Sequence, residues 1–316
     1  MNRLPEYVAY HVASERTGDI DPSYPMLRYV ADRFELSTEQ RYWVAFLYAC
    51  TYCAPMAFWL YNEFPDHAHA DPGRIRRWWA GNRDRTLFQS DRRWVRSRNQ
   101  FSAMVESYQS ITLPGQQSAF LRASERGYDP LYVWAGQVFQ MGRFGLFLWL
   151  EAVHVIAGLP VIPTGIDWKH AQSSANGLCF AVGRDEWLRG NDYGDDPLPP
   201  EYSEALDREL ARVIGAIRAA APDVRADPWN VETSLCAFKK WKRGKRYVGF
   251  YRDRQHDEIA KLQAAVPHGV RWDVLWQFRQ ETWPPELLKE KGDFARIYWG
   301  AVIKRALHER REPVFA

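Results

Sequence analysis

RYWVAFLYACTYCAPMAFWLYNEF, residues 41–64, decides the fold class. It is densely apolar over 24 residues, and Pro55 inside it forces a break or a kink. It reads as two buried helices or one bent helix. Just before it, Ser37 and Gln40 have the spacing of a capping box, the mark of a helix start. Working outward, the same character recurs. DPGRIRRWWAG (71–81) opens a helix at a proline, and SDRRWVRSRNQFSAMVESY (90–108) has an Arg-rich face and an apolar face. DPLYVWAGQVFQMGRFGLFLWLEAVHVIAG (129–158) reads as the most buried helix of the chain, ended by Gly158 and Pro160. SEALDRELARVIGAIRAAA (203–221) has clear helical periodicity. Period-two alternation is scarce, so the expectation is a mainly α, two-lobed fold, with a small strand near Leu178–Val182. The whole chain, 1–316, reads as one catalytic domain, with a lobe boundary in the Gly/Pro/Asp-rich stretch 190–200.

Apolar residues make up 46% of the 316, enough for a sizeable core. Aromatics reach 15%, with fifteen Trp, which suggests stacking surfaces or aromatic pockets besides the core. The N-terminus has no signal-peptide run, and no stretch of about 20 residues is free of charge. Cys50, Cys53, Cys179 and Cys236 are too few and scattered to staple the chain; they read as reduced thiols of a cytoplasmic protein. Cys50 and Cys53 form a lone CxxC without the second pair that a zinc or redox site needs.

Charge is uneven. Residues 74–98 hold nine Arg against Asp84 and Asp91, a net of +7. Residues 239–254, KKWKRGKRYVGFYRDR, hold eight basic residues against Asp253, again +7. The overall charge is only +3, so the rest of the chain carries −11. Two concentrated basic segments interleaved with Trp, Phe or Tyr suggest polyphosphate or nucleic acid; two solvated helix faces are the plainer reading.

The second segment sits beside reactive side chains. In DPWNVETSLCAFKKWKRGKR (227–246), Asn230 reads as a helix N-cap, and Val231, Leu235 and Phe238 as an apolar stripe. Glu232, Cys236, Lys239 and Arg243 then share one face. The cations can hold phosphate and the carboxylate can take a proton from an amine or hydroxyl. The plain alternative is a solvated face with a half-buried packing thiol. Arg143, Glu151 and His154 lie in an otherwise apolar helix and so must pair or face a cavity. Glu151 and His154 have the spacing that opens a di-metal motif, but no second pair accompanies them. There is no P-loop, no GxGxxG after a strand and no metal box.

Three blocks, RYWVAFLYACTYCAPMAFWLYNEFPD, GRFGLFLWLEAVHVIAG and WNVETSLCAFKKWKRGKRYVGFYRDR, together resemble the bacteriophage amino acid:DNA transferases, also described as alpha-glutamyl/putrescinyl-thymine pyrophosphorylases. The likeness runs roughly from Met26 to Arg254. It rests on aromatic-rich blocks in the same order rather than on a short catalytic signature. It implies an enzyme of thymidine hypermodification. A kinase pyrophosphorylates 5-hydroxymethyluracil in DNA, and the transferase displaces pyrophosphate with an amine, often that of an amino acid. It also implies a helical fold of the kind found in base-flipping DNA glycosylases.

On that resemblance the site residues fall into roles. Glu232, with Glu151 as second choice, takes the proton of the amine. Lys239, Lys240, Arg243, Arg246, Tyr247 and Arg254, with Arg76 and Arg77, hold pyrophosphate and DNA. Arg143 serves as a buried fork for the carboxylate of the amino acid. Cys236 serves in a second route, in which a thiol adds to C6 of the base before the amine arrives. The partners are pyrophosphorylated DNA and an amino acid, glycine being the first expectation. No cofactor is expected, although the pyrophosphate can bring Mg²⁺. The competing classes are a non-catalytic DNA-binding protein and a glycosylase-like base-flipping enzyme. The second lacks a convincing helix-hairpin-helix Gly motif followed by a catalytic Asp.

Overall fold

The computed structural model describes residues 2–88, 100–187, 202–246 and 248–282. Fourteen α-helices occur among them, and no strand. They are α1 (Leu4–Thr17), α2 (Tyr24–Arg33), α3 (Thr38–Thr51), α4 (Ala54–Glu63) and α5 (Pro72–Asn82). Next come α6 (Gln100–Thr112), α7 (Gln116–Ser124), α8 (Tyr128–Ala135), α9 (Arg143–Ala152) and α10 (Gln172–Val182). The last are α11 (Ser203–Ala220), α12 (Pro228–Lys242), α13 (Phe250–Ala265) and α14 (Trp272–Thr282).

The decisive stretch folds as two helices. Ser37 caps α3 in the expected box: its hydroxyl accepts from the backbone of Gln40 at 3.4 Å, and Gln40 accepts from the backbone of Ser37 at 2.8 Å. The helix stops because Tyr52 turns left-handed (φ 52°) and Cys53 is extended, which lets Pro55 enter the first turn of α4. Cys50 thus lies in the last turn of one helix and Cys53 caps the start of the next; both are buried, and all four cysteines are thiols.

Two expectations need correction. Leu178–Val182 is no strand but the end of α10, which closes at a left-handed Gly183 (φ 79°). A short apolar run cannot by itself separate a strand from a buried helical turn. The stretch 129–158 is not one helix. After α8, Gln140 takes a positive φ of 56°, and α9 starts only at Arg143, behind Gly142. It then widens into one π turn, Val153–Ala157, before a left-handed Gly158.

The chain divides into two compact units. The first comprises Met1–Asp21 and Pro163–Arg254; the second comprises Pro22–Ile162 and Gln255–Glu281. The expected boundary at 190–200 lies outside the described residues.

In the first unit α1, α10, α11 and α12 pack around Tyr7, Leu178, Val213, Leu235 and Phe238. Leu206, Leu210, Val213 and Ile217 give α11 its buried stripe. The closest pairing is α10 on α12. A Cβ on Gly177 would come within 2.5 Å of the carbonyl oxygen of Leu235, so only glycine fits there. A buried polar chain ties α1 to α12. Tyr7 Oη lies 2.6 Å from Ser234 Oγ, which lies 2.8 Å from His11 Nδ1, while His11 Nε2 lies 2.9 Å from the carbonyl of Arg225. Since a carbonyl only accepts, Nε2 donates and Nδ1 accepts from the serine.

In the second unit α3 is central, contacted by α4, α7 and α9. Its inward face feeds an aromatic stack. Phe46 lies over Tyr108 at 4.1 Å, with Trp149 edge-on to Phe46, Tyr108 and Phe120. Such pairs each add about 0.5–1.5 kcal/mol beyond the area they bury. Five tryptophans, Trp43, Trp59, Trp79, Trp149 and Trp229, are fully buried, so much of the aromatic surplus is core.

Candidate functional site

Helix α12 carries the densest chemistry of the first unit. Its N-cap is Asp227, not the expected Asn230. The Asp227 carboxylate accepts from the backbone of Trp229 at 2.9 Å and of Asn230 at 3.3 Å, and Asn230 returns an acceptor to the backbone of Asp227 at 2.9 Å. Val231, Leu235 and Phe238 form the expected buried stripe. Glu232 and Cys236 are half-buried on the flank.

Lys239, expected beside Arg243 as a pyrophosphate cation, is fully buried. Its ammonium donates to the carbonyl of Ser173 on α10 at 2.9 Å and lies 3.4 Å from the Ser173 hydroxyl. That hydroxyl also meets the Cys236 thiol at 2.9 Å. The close α10–α12 approach at Gly177 brings Ser173 within reach of both; the sequence reading did not single it out. Lys239 therefore does not stand at the surface with Arg243. Lys240 is buried as well, and Lys242 pairs with Glu6 at 2.6 Å.

Arg243 ends α12 and is exposed, its guanidinium 5.6 Å above the ring of Phe180, and Lys245 beyond it is exposed too. From Glu232 to Arg243 is about 16 Å along the axis at roughly 1.5 Å per residue. A substrate touching both must lie along the helix.

The second half of the basic segment is held by acids from the end of α1. The buried Asp19 carboxylate accepts from the backbone of Gly249, Tyr251 and Arg252 at 2.6, 3.0 and 3.3 Å, at the start of α13. Burial pushes the Asp19 carboxyl up to about 6, against the opposing pull of those hydrogen bonds and of Arg252. Asp21 pairs with Arg254 at 2.6 Å. Arg246 donates to the hydroxyl of Tyr251 and stacks over Phe250 and Tyr251. Arg252 and Asp253 are fully buried. Tyr247 lies outside the described residues.

In the second unit Arg76 and Arg77 are exposed on α5, whose N-cap Asp71 accepts from Arg74 at 2.6 Å. Residues 89–99, with the rest of that basic segment, lie outside the described residues. Arg143 is not a buried fork within a helix. It opens α9, is exposed, and lines a cleft of about 620 Å³ with Gln140, Gly142 and Phe144. Glu151 is buried at 1% exposure, and His154 donates from Nδ1 to the carbonyl of Leu159 at 2.7 Å, bracing the π turn. Glu151 and Glu232 fall in different units. Among the described residues no group of three His, Cys, Asp or Glu is placed to hold a metal ion, and no helix is long and apolar enough to cross a membrane.

Within the first unit, then, one helix offers a half-buried carboxylate and thiol and ends in exposed cations. Residues 15–247 match the family described as amino acid:DNA transferase. A serinyltransferase of Salmonella phage ViI is 27% identical over 287 residues, which cover 82% of this chain and 67% of that one. No solved structure matches. The matched region takes in the whole of α12, the exposed arginines of α5 and the cleft at Arg143, and over that span the chain belongs to the amino acid:DNA transferase family: it is a transferase that joins an amino acid to DNA.

Proposed function

We propose that the chain displaces pyrophosphate from 5-pyrophosphoryloxymethyl-uracil in DNA with the amine of an amino acid. The observation that carries this reading is α12. It offers a half-buried carboxylate, Glu232, and ends in the exposed cations Arg243 and Lys245. The carbon–oxygen bond to pyrophosphate breaks, a carbon–nitrogen bond forms at the same methylene, and Glu232 takes the proton the amine loses. Arg243 and Lys245 meet the charge growing on the leaving pyrophosphate. They also offset the negative end of the helix dipole, which alone would repel it. Arg76 and Arg77 hold the DNA backbone. Arg143, at the mouth of its cleft in the second unit, offers a guanidinium that suits a carboxylate. Lys239 acts as a brace, through Ser173, for the helix that carries Glu232. Cys236 remains the nucleophile of a second route, through C6 of the base.

The test is to incubate the protein with pyrophosphorylated DNA and single amino acids, then digest and weigh the nucleosides. Glycine is the first arm, on no residue-level ground, and serine is the second because the phage relative is a serinyltransferase. A base heavier by the amino acid less water supports the reading. An abasic site points to a glycosylase, and unchanged nucleosides point to a protein that only binds DNA.

A further inference from the structure

A cleft of about 300 Å³ opens in the second unit, among the first turns of α3, residues 65–67 and the start of α7. Its charged lining is Glu39 and Asp66, and neither Lys nor Arg lines it. Such a lining repels phosphate, pyrophosphate and the DNA backbone. It suits a compact cation rich in N–H donors.

The cleft is built, not merely acidic. Glu39 is fixed in place. One carboxylate oxygen accepts from the backbone and side-chain amides of Gln116 at 2.9 and 3.1 Å, and the other accepts from the backbone of Gln117 at 2.9 Å. The second oxygen keeps a lone pair for a ligand. Trp43, which also lines the cleft, is pinned by its indole N–H on the carbonyl of Phe64 at 2.6 Å. An aromatic wall favours a cation.

His67 is the decisive residue. It lines the cleft at only 6% exposure. Its Nε2 lies 3.4 Å from the hydroxyl of Thr112, whose hydrogen goes to the carbonyl of Tyr108 at 2.7 Å. Thr112 is therefore the acceptor and Nε2 carries the proton. Nδ1 is left as an acceptor, and no described group hydrogen-bonds it. Burial lowers the pKa of His67, Glu39 and Asp66 pulling the other way, which supports a neutral ring.

We propose that this cleft binds a primary ammonium group, with His67 Nδ1 and Glu39 as its acceptors and Asp66, whose oxygens already meet the backbone of Ala68 at 2.8 Å and His69 Nδ1 at 2.6 Å, adding negative charge. The inference concerns binding alone and stands apart from the transfer chemistry. The ammonium of an amino acid and that of a simple amine share this chemistry.

The experiment uses the full chain, labelled with ¹⁵N at histidine and titrated with methylammonium, glycine, acetate or potassium chloride. The His67 ring resonances are expected to move saturably with methylammonium and to stay put with acetate and potassium. Movement with glycine as well extends the site to amino acids; movement with methylammonium alone restricts it to simple amines. Asp66→Asn can keep the oxygen that accepts from Ala68 at 2.8 Å, and it loses the charge together with the oxygen that meets His69 Nδ1 at 2.6 Å. It should weaken binding about two- to five-fold. His67→Phe, with its melting temperature checked against wild type, should weaken it about ten- to a hundred-fold. The proposal is overturned by no saturable movement, by potassium acting as well as methylammonium, by acetate moving the same resonances, or by unchanged binding in Asp66→Asn.

Discussion

Arg76 and Arg77 stand in solvent on α5, whereas Lys239, Arg252 and Asp253 are fully buried, although the two segments that hold them carry the same net charge of +7. The difference lies in where the neutralising partners come from. Glu6, Asp19 and Asp21, more than 200 residues earlier, reach Lys242, the start of α13 and Arg254. No ion pair reaches Arg76 or Arg77 among the described residues; the acid whose charge they act on, Asp71, caps their own helix. A cluster of like charge in sequence thus marks either a surface or a place where distant acids arrive. On our account the α5 arginines grip DNA. Much of the 239–254 segment builds the frame around α12, and the exposed Arg243 and Lys245 are the cations we assign to the substrate.

That division can be broken first at Glu232. Glu232→Gln keeps shape and loses the base, so turnover should fall roughly 10²- to 10⁴-fold with DNA affinity retained. Raising the pH should partly restore it by deprotonating the amine beforehand. Normal turnover in this variant would take the role of base from Glu232 and pass it to Glu151.

Arg243 and Lys239, four residues apart, sharpen the contrast between exposed and buried cations. Arg243→Ala should lower the single-turnover rate on the order of 10²-fold and leave stability nearly unchanged. Lys239→Met should do the reverse. It leaves the Ser173 carbonyl without its donor, at about 1–3 kcal/mol in urea unfolding, with little effect on the chemical step.

Asp19 tests whether the buried segment carries the cost its burial implies. Its folded pKa, about 6, lies above that of an unfolded aspartate. The native state therefore binds the proton more tightly. This contribution to stability is fully present below about pH 4 and is lost as the pH rises through about 6. Relative to Asp19→Asn, wild type should lose of order 2–3 kcal/mol between pH 4 and 7. Parallel stability–pH curves for the two proteins would contradict the burial of that carboxylate.

The smallest effect is expected on the exposed side. Arg76→Ala with Arg77→Ala should weaken binding to unrelated DNA sequences about equally. Each lost phosphate contact should flatten the slope of log affinity against log salt by about 0.9. An unchanged slope returns both arginines to a merely solvated face.

Local rules carried most of the fold. The Ser37–Gln40 box, the break at Pro55 and the stripe Val231–Leu235–Phe238 each depend on residues within a few turns, and each is as read. The misreadings arose where local signals are degenerate or partners are distant. Leu178–Val182 is apolar enough for either a strand or a helix, and nothing nearby decides. Asn230 is a good cap, but Asp227 followed by Pro228 is a better one. The burial of Lys239 depends on Gly177 admitting α10 against α12, a contact between segments some 60 residues apart that no periodicity reveals. Ser173 and Asp19 stayed unread for the same reason. Arg143 was misread because Gly142 starts the helix there rather than passing through it.

The central claim is that pyrophosphate leaves as the amino acid arrives, driven from α12. The most direct measurement follows pyrophosphate release and base adduct together in one turnover, at saturating enzyme, on pyrophosphorylated DNA with and without the amino acid. The expected result is one pyrophosphate released per adduct formed, both dependent on the amino acid and both slowed alike by Arg243→Ala. Adduct formation on DNA that carries no pyrophosphate, or pyrophosphate release that ignores the amino acid, would contradict it.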